Sequence, residues 1–235
     1  MNDSLTIDEG DSKLLPHLEE SDYPENARRM LRAALRLFAR KGYAGTSVRE
    51  IVQAADVTNP MLYYYFDNKE GLFRTLIAYL FDIVTREITA AIEQNDVLER
   101  AVEQVIIRHF EACLRSPVAL QFVYAVLFGP DESTPTFDVF DAREEMTQRL
   151  TQRFDDAIDA GEIDPATGFD ADFMTEQLLG VINNHLMRVL KLAEKHQGKE
   201  ARLASMRENL ATERALELKR FYFSGIGTLA GGDKS

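Results

Sequence analysis

From residue 23 onward, apolar residues recur at three- and four-residue spacing, and no segment alternates with the two-residue period of a strand. Leu31, Ala34, Leu35 and Phe38 form one stripe, predicting a first helix that Pro24 opens and Gly42 ends behind the basic pair Arg40 and Lys41. Ser47 begins the next segment as an N-cap. Glu50 stands three residues on, where its carboxylate reaches back to the Ser47 amide as a capping box. Val48, Ile51 and Val52 give this helix its inner face, and Ala54 and Ala55 are small enough for another helix to cross close by. Asp56-Val57 makes a tight turn. Either Thr58 or Asn59 caps the following helix, with Pro60 at an early position where its missing N–H is harmless. Leu62 and Phe66 point inward from it. Tyr63, Tyr64 and Tyr65 sweep the other faces, and adjacent residues about 100° apart cannot all face one core. Asn68 caps a third helix, with Lys69 in its first turn.

Further on, Phe73, Leu76, Ile77, Leu80, Val84, Ile88 and Ile92 extend that helix over about 25 residues. Val97–Leu114 predicts another helix. Pro117 starts a nearly all-apolar one, read as buried on all sides, which ends at Gly129-Pro130. A loop at 131–136 precedes an amphipathic helix that Gly161 stops. Asp170 to about Lys195 is a long helix, and Lys199–Tyr222 is a last helical region in one or two pieces. The expectation is an all-α chain of nine or ten helices: an N-terminal three-helix unit containing a helix-turn-helix, then a longer C-terminal helical part.

Helix, short turn and a polar-aromatic second helix is the arrangement that lays its second helix in the DNA major groove. The stretch Met30–Tyr43, the run Thr46-Ser-Val-Arg-Glu-Ile51, and Leu62-Tyr-Tyr-Tyr-Phe-Asp-Asn-Lys-Glu-Gly-Leu-Phe73 together closely resemble the DNA-binding domain of the tetracycline-repressor (TetR) family. The resemblance covers residues 30–76, about a fifth of the chain. It departs at Asp56, where the family usually carries Gly; Asp is one of the few residues that tolerate a left-handed backbone. Val52 replaces a common Ala. The resemblance implies an N-terminal three-helix DNA-binding domain and a C-terminal helical ligand-binding and dimerisation domain, with DNA contacts at Tyr63, Tyr64 and Lys69 and further contacts at Thr46, Ser47, Thr58, Asn59 and Met61; among these, Asn59 and Met61 are read here as the base readers. It also implies a homodimer that pairs through its last two long helices, a small-molecule effector, and double-stranded operator DNA as partner.

Charge sharpens the picture. The net charge of −12 divides into −5 over residues 1–20, +3 over 21–76 and −10 over the rest, so the one net-positive segment contains the helix-turn-helix. Residues 1–22 are acidic and without periodicity, and are expected to be a disordered arm; 23–68 would be the DNA-binding domain and 69–230 the effector and dimer domain. Neither a signal peptide nor a membrane-length apolar run is legible, and Cys113 alone cannot make an intrachain disulfide, which fits a cytoplasmic protein.

Catalytic motifs are not found: no phosphate-binding glycine loop, no HExxH, no CxxC, no Gly-x-Ser-x-Gly. The chain is therefore read as no enzyme, with no cofactor. His109 and Cys113 share a helix face, but two ligands are too few for a metal site, so they belong to a pocket wall or the core. His185, beside Asn183 and Asn184, lies either in a ligand pocket or at a subunit seam. Phe110, Phe122, Tyr124, Phe128, Met146, Phe173 and Met174 either line a cavity or form plain core. The effector set is thus Phe110, Cys113, Phe122, Tyr124, Met174, Asn184 and His185. In the long helix Leu178, Ile182, Leu186 and Leu190 form one row, while Leu179, Val181, Val189 and Leu192 spill onto other faces, as expected where two surfaces are covered. On this reading Asp at Ile182 or Leu186 produces monomers. A ligand-responsive repressor is the leading function; an activator of the same fold and a helical protein-interaction module are the alternatives.

Overall fold

A computed structural model describes residues 15, 17–129, 135 and 139–226. Ten α-helices run through these residues: α1 (Glu25–Lys41), α2 (Val48–Ala54), α3 (Asn59–Phe66), α4 (Lys69–Glu93), α5 (Leu98–Arg115), α6 (Pro117–Phe128), α7 (Val139–Asp159), α8 (Ala171–Ala193), α9 (Lys199–Asn209) and α10 (Thr212–Ile226). No strand occurs among the described residues. The last helical region is in two pieces, and the loop at 131–136 lies outside the described residues except for Pro135.

Local chemistry sets the helix ends. Pro24 stands at the start of α1 and Gly42, at φ 72°, ends it. The Ser47–Glu50 capping box is complete: the Glu50 amide donates to Ser47 Oγ at 3.3 Å, and the Ser47 amide to Glu50 Oε2 at 2.9 Å. At the end of α2, Asp56 is left-handed at φ 51°. The Asp56 amide donates to the Gln53 carbonyl and the Val57 amide to that of Val52. This is a Schellman closure with Asp in the place glycine usually takes. The Asp56 carboxylate also accepts from Arg29 at 2.8 Å.

The chain divides into two compact units. One takes in residues up to Ile83 together with Arg115–Ala142; the other comprises Val84–Leu114 and residues from Arg143 on. The division falls within α4 and not at the 68/69 boundary read from the sequence, because α6 packs on α1. In the first unit α1 also packs on α2 and α3. Its core holds Met30, Leu31, Leu35, Phe38, Ile51, Leu62, Phe66, Phe73 and Phe122, with Phe38 and Phe73 in ring contact with each other and with both Tyr43 and Phe122.

Two expectations about this unit are corrected. The segment before α1 is ordered at residues 15 and 17–22: Leu15 and Leu18 are buried in the core, and Leu18–Glu20 forms a 3₁₀ turn. Two leucines supply the apolar area, and Glu19 supplies the carboxylate that the nearly buried Arg32 guanidinium requires. The remainder of that arm lies outside the described residues. Helix α6 is also not covered on all sides: Val118, Ala119 and Phe122 are buried, whereas Ala125 and Phe128 are exposed.

In the second unit, α9 and α10 pack on α8. Glu162 accepts from the Leu98 amide and from Arg153, fixing the start of α5, and Lys219 of α10 bridges Glu99 and Glu103. Asp170 caps α8 through the Phe173 amide. Leu178, Leu179, Ile182, Leu186, Val189 and Leu190 are all buried within the single chain. Most of the apolar width of this helix is thus covered by its own subunit, and Ile182 and Leu186 are corrected from interface to core. The side left outward carries Phe173, Gln177, Gly180, Asn184 and Met187, spaced alternately four and three.

Candidate nucleic-acid interface

Helix α3 stands on Leu62 and Phe66, both buried, and this anchoring decides which residues face out. Tyr63 is 52% and Tyr64 81% exposed, whereas Tyr65 is half-buried with its ring edge-on to Tyr64 at 5.0 Å. The N-cap is Thr58, and its hydroxyl makes no capping bond. Thr58 and Asn59 are exposed, Met61 partly so, and Pro60 takes its place in the first turn. The start of α3 therefore presents a hydroxyl, an amide and a thioether in one turn, followed by two phenols. Such groups bond phosphate oxygens and base edges.

The connection from α3 to α4 is tight. Asp67 adopts φ 60°, ψ −41°, and the Asn68 amide donates to the Phe66 carbonyl at 2.7 Å, a γ-turn. Asn68 Oδ1 then caps α4 by accepting from the Gly71 amide at 2.8 Å. A Cβ on Gly71 would stand 1.9 Å from the Phe66 carbonyl oxygen, so only glycine lets the two helix ends meet this closely.

The contact residues read from the sequence separate into three groups. Thr58, Asn59, Met61, Tyr63 and Tyr64 share the outward side of α3. Thr46 is buried, and its hydroxyl donates to the Gly42 carbonyl at 2.9 Å; Ser47 is exposed, but its hydroxyl is engaged in the capping box. The ammonium of Lys69 donates to the carbonyls of Tyr43 (3.0 Å) and Thr46 (2.9 Å) and lies 4.0 Å from the centre of the Tyr43 ring. Desolvation pulls its pKa below the usual lysine value.

Most of the basic charge of this unit is locally paired: Arg28 and Arg32 with Glu19, Arg29 with Asp56, Lys41 with Glu50, Arg74 with Glu70. The Lys41 ammonium, followed by the Ser47 amide and hydroxyl, holds the Glu50 carboxyl at about 2. Arg40 and Arg49 are exposed and without a carboxylate partner among the described residues. Arg49, the second residue of α2, was not among the sequence candidates. Its signal was the inward face of Val48, Ile51 and Val52, which leaves position 49 outward.

The effector candidates do not come together as one set. Phe110 and His185, in the second unit, are stacked at 5.1 Å and 18°, and His185 Nε2 lies 2.9 Å from the Asn209 carbonyl. Cys113 is fully buried, which pushes its thiol up to about 12; His109 is partly buried, its Nδ1 on the Val105 carbonyl and its pKa lowered by desolvation. The Met174 carbonyl accepts from the Tyr222 hydroxyl at 2.6 Å. Asn184 is exposed. Phe122 and Tyr124 belong to the other unit, and Phe122 is stacked on Phe38, so Phe122 is corrected to the core of the helix-turn-helix unit. Among the described residues no cluster of three or more His, Cys, Asp or Glu side chains is placed to hold a metal, and no single helix is long and apolar enough to cross a membrane.

Residues 30–76 match the family model of bacterial regulatory proteins, tetR family. The chain is 38% identical over 58 residues to the uncharacterized HTH-type transcriptional regulator YuxN of Bacillus subtilis, covering 25% of this chain and 20% of that one. It is 30% identical over 127 residues to the HTH-type transcriptional repressor ComR of Escherichia coli, covering 52% of this chain and 59% of ComR. The match therefore spans less than two thirds of the length of either relative. The fold matches that of the transcriptional regulator FadR from Bacillus subtilis, solved in complex with stearoyl-CoA, with a TM-score of 0.67 at 17% identity over 85% of this chain and 98% of that one.

Proposed function

We propose that this chain, whose residues 30–76 belong to the tetR family of bacterial regulatory proteins, represses transcription by binding a two-fold operator as a dimer under control of a small-molecule effector. The observation that carries the reading is the outward side of α3, where Thr58, Asn59, Tyr63 and Tyr64 are exposed and Met61 is partly so. In this role Tyr63, Tyr64, Thr58 and Arg49 set register on the phosphates, and Asn59 and Met61 read base edges. Such a protein works in the cytoplasm, where the DNA is.

One recognition helix reads one half-site, so a two-fold operator calls for two copies. The outward stripe of α8 with Phe221 of α10, which is 68% exposed, is the surface we assign to that pairing. Its spacing repeats every 3.5 residues on average, the period at which two helices keep one seam in contact. The effector would bind in the second unit, near the stacked Phe110 and His185. FadR was solved with an acyl-CoA, so a long-chain acyl thioester is the first class to test. Any effector must bind the DNA-competent and DNA-incompetent states with different affinity, because equal affinity shifts nothing.

Tyr64→Ala tests the interface, since an exposed side chain can be removed with stability changed by no more than about 0.5 kcal/mol. Affinity for duplex DNA, measured at several salt concentrations, should fall by about tenfold while the melting temperature holds. Unchanged affinity would remove α3 from the interface.

A further inference from the structure

Residues 21–76 hold nine Arg and Lys side chains, and their surroundings sort them. Arg28, Arg29, Arg32, Lys41 and Arg74 each meet a carboxylate, and Arg36 is engaged as well. Lys69 directs two of its three N–H donors to the Tyr43 and Thr46 carbonyls and keeps one. Among the described residues of this segment, only Arg40 and Arg49 are exposed guanidinium groups without a partner.

These two share one place in the fold. Arg40 lies in the last turn of α1 and Arg49 in the first turn of α2, and the Lys41–Glu50 ion pair joins those two helix ends. Each free arginine is the chain neighbour of one member of that pair, so both charges stand at the corner where α1 meets α2. The corner is held firmly. Glu50 also accepts from the Ser47 amide and hydroxyl, and Tyr43 of the connecting loop packs its ring on Phe38 and Phe73. A phosphate arriving here has no ion pair to break, and a guanidinium offers it a planar fork of N–H donors. A cation in the last turn of α1 also suits the helix dipole. That role would show in the melting temperature and leave the salt dependence of DNA binding unmoved.

Resting on the DNA-binding reading above, we infer that Arg40 is a further DNA-contact residue: with Arg49 it forms a two-guanidinium seat for backbone phosphates at the α1–α2 corner, separate from the base-reading side of α3. Phosphates carry no sequence information, so the seat adds affinity and register to every duplex alike.

The test uses the full chain with Arg40→Gln, Arg40→Lys and the charge control Arg207→Gln, Arg207 being exposed on α9, on the duplex that the wild-type protein enriches from a random pool. A dimer loses two contacts in Arg40→Gln, so the slope of log affinity against log salt should fall by about 1.8, at about 0.9 for each contact. Affinity should drop about tenfold on all duplexes, with the enriched motif unchanged. Arg40→Lys keeps the charge and should restore most of the slope. Arg207→Gln alters net charge equally and should match the wild type in slope and affinity. Ethylation of single phosphates separates contact from a distant field: at least one phosphate whose ethylation weakens the wild type should be indifferent to Arg40→Gln. An unchanged slope in a folded Arg40→Gln protein overturns the inference, as does an identical ethylation pattern or an equal loss in Arg207→Gln. If the wild type enriches no duplex, the DNA-binding reading fails and the seat falls with it, whereas an enriched duplex whose slope Arg40→Gln leaves unmoved removes the seat alone.

Discussion

Gly71→Ala should destabilise the helix-turn-helix unit although alanine is the better helix former. On propensity alone the change gains about 1 kcal/mol inside a helix. In this structure the new Cβ would stand 1.9 Å from the Phe66 carbonyl oxygen and 3.1 Å from its carbon. Reaching even 3.0 Å, a distance real Cβ atoms scarcely go below, requires a shift of 1.1 Å. No flexible side chain can give way, because the obstacle is the backbone of the last residue of α3. That carbonyl is also held by the Asn68 amide at 2.7 Å, and Gly71 is held by the Asn68 cap at 2.8 Å. Overpacking against backbone belongs at the upper end of the usual range, about 3 kcal/mol, which leaves a net loss of about 2 kcal/mol after the propensity gain. For a chain of this size that lowers the melting temperature by about 4–8 °C. Thermal unfolding followed by circular dichroism decides it. A melting temperature equal to or above wild type would mean that the α3–α4 junction is looser than described and that the γ-turn does not fix the recognition helix.

Two further outcomes follow from the same geometry. Glu50 should titrate near 2 instead of its ordinary 4.5, as read from its carboxyl carbon by NMR; because the folded pKa is depressed, its contribution to stability is present above about 4.5 and is lost as pH falls through 2, and a midpoint near 4.5 would remove the Lys41–Glu50–Ser47 arrangement. The neighbours Leu186 and Met187 should behave oppositely to Asp: at Leu186, which is fully buried, it forfeits about 2–3 kcal/mol of apolar burial and adds several for an unpaired charge, enough to unfold a domain of ordinary stability, whereas at exposed Met187 it should leave the fold intact and yield monomers by sedimentation, so that a folded Leu186→Asp chain or a dimeric Met187→Asp chain contradicts the assignment.

What the sequence revealed, and what it hid, divides along local and non-local physics. Helix ends were legible because each depends on a few adjacent residues: Ser47 with Glu50, Gly42 behind α1, Asn68 before Gly71. The left-handed turn at Asp56 was legible for the same reason, but its bond to Arg29, 27 positions away, was not. Periodicity showed that α8 has a wide apolar surface, yet it does not distinguish burial by the same chain from burial by a second, and Ile182 and Leu186 proved to be core. Phe122 was assigned to the effector domain by its place in the chain, and only tertiary pairing of α6 with α1 returns it to the helix-turn-helix unit. Leu15 and Leu18 were hidden in an aperiodic acidic stretch too short to carry a repeat. The outward tyrosines were legible because three in succession on a helix cannot all be buried, whereas the carbonyls that occupy Lys69 lie 23 and 26 positions away.

The most direct test of the central claim is enrichment of bound duplexes from a random double-stranded pool by the full-length protein, at two or more salt concentrations. The account predicts one motif of two inverted half-sites, about one helical turn apart or a little wider, lost on raising salt and lost in Tyr64→Ala. Recovery of no motif at low salt, or of a motif that Tyr64→Ala enriches equally well, would contradict it.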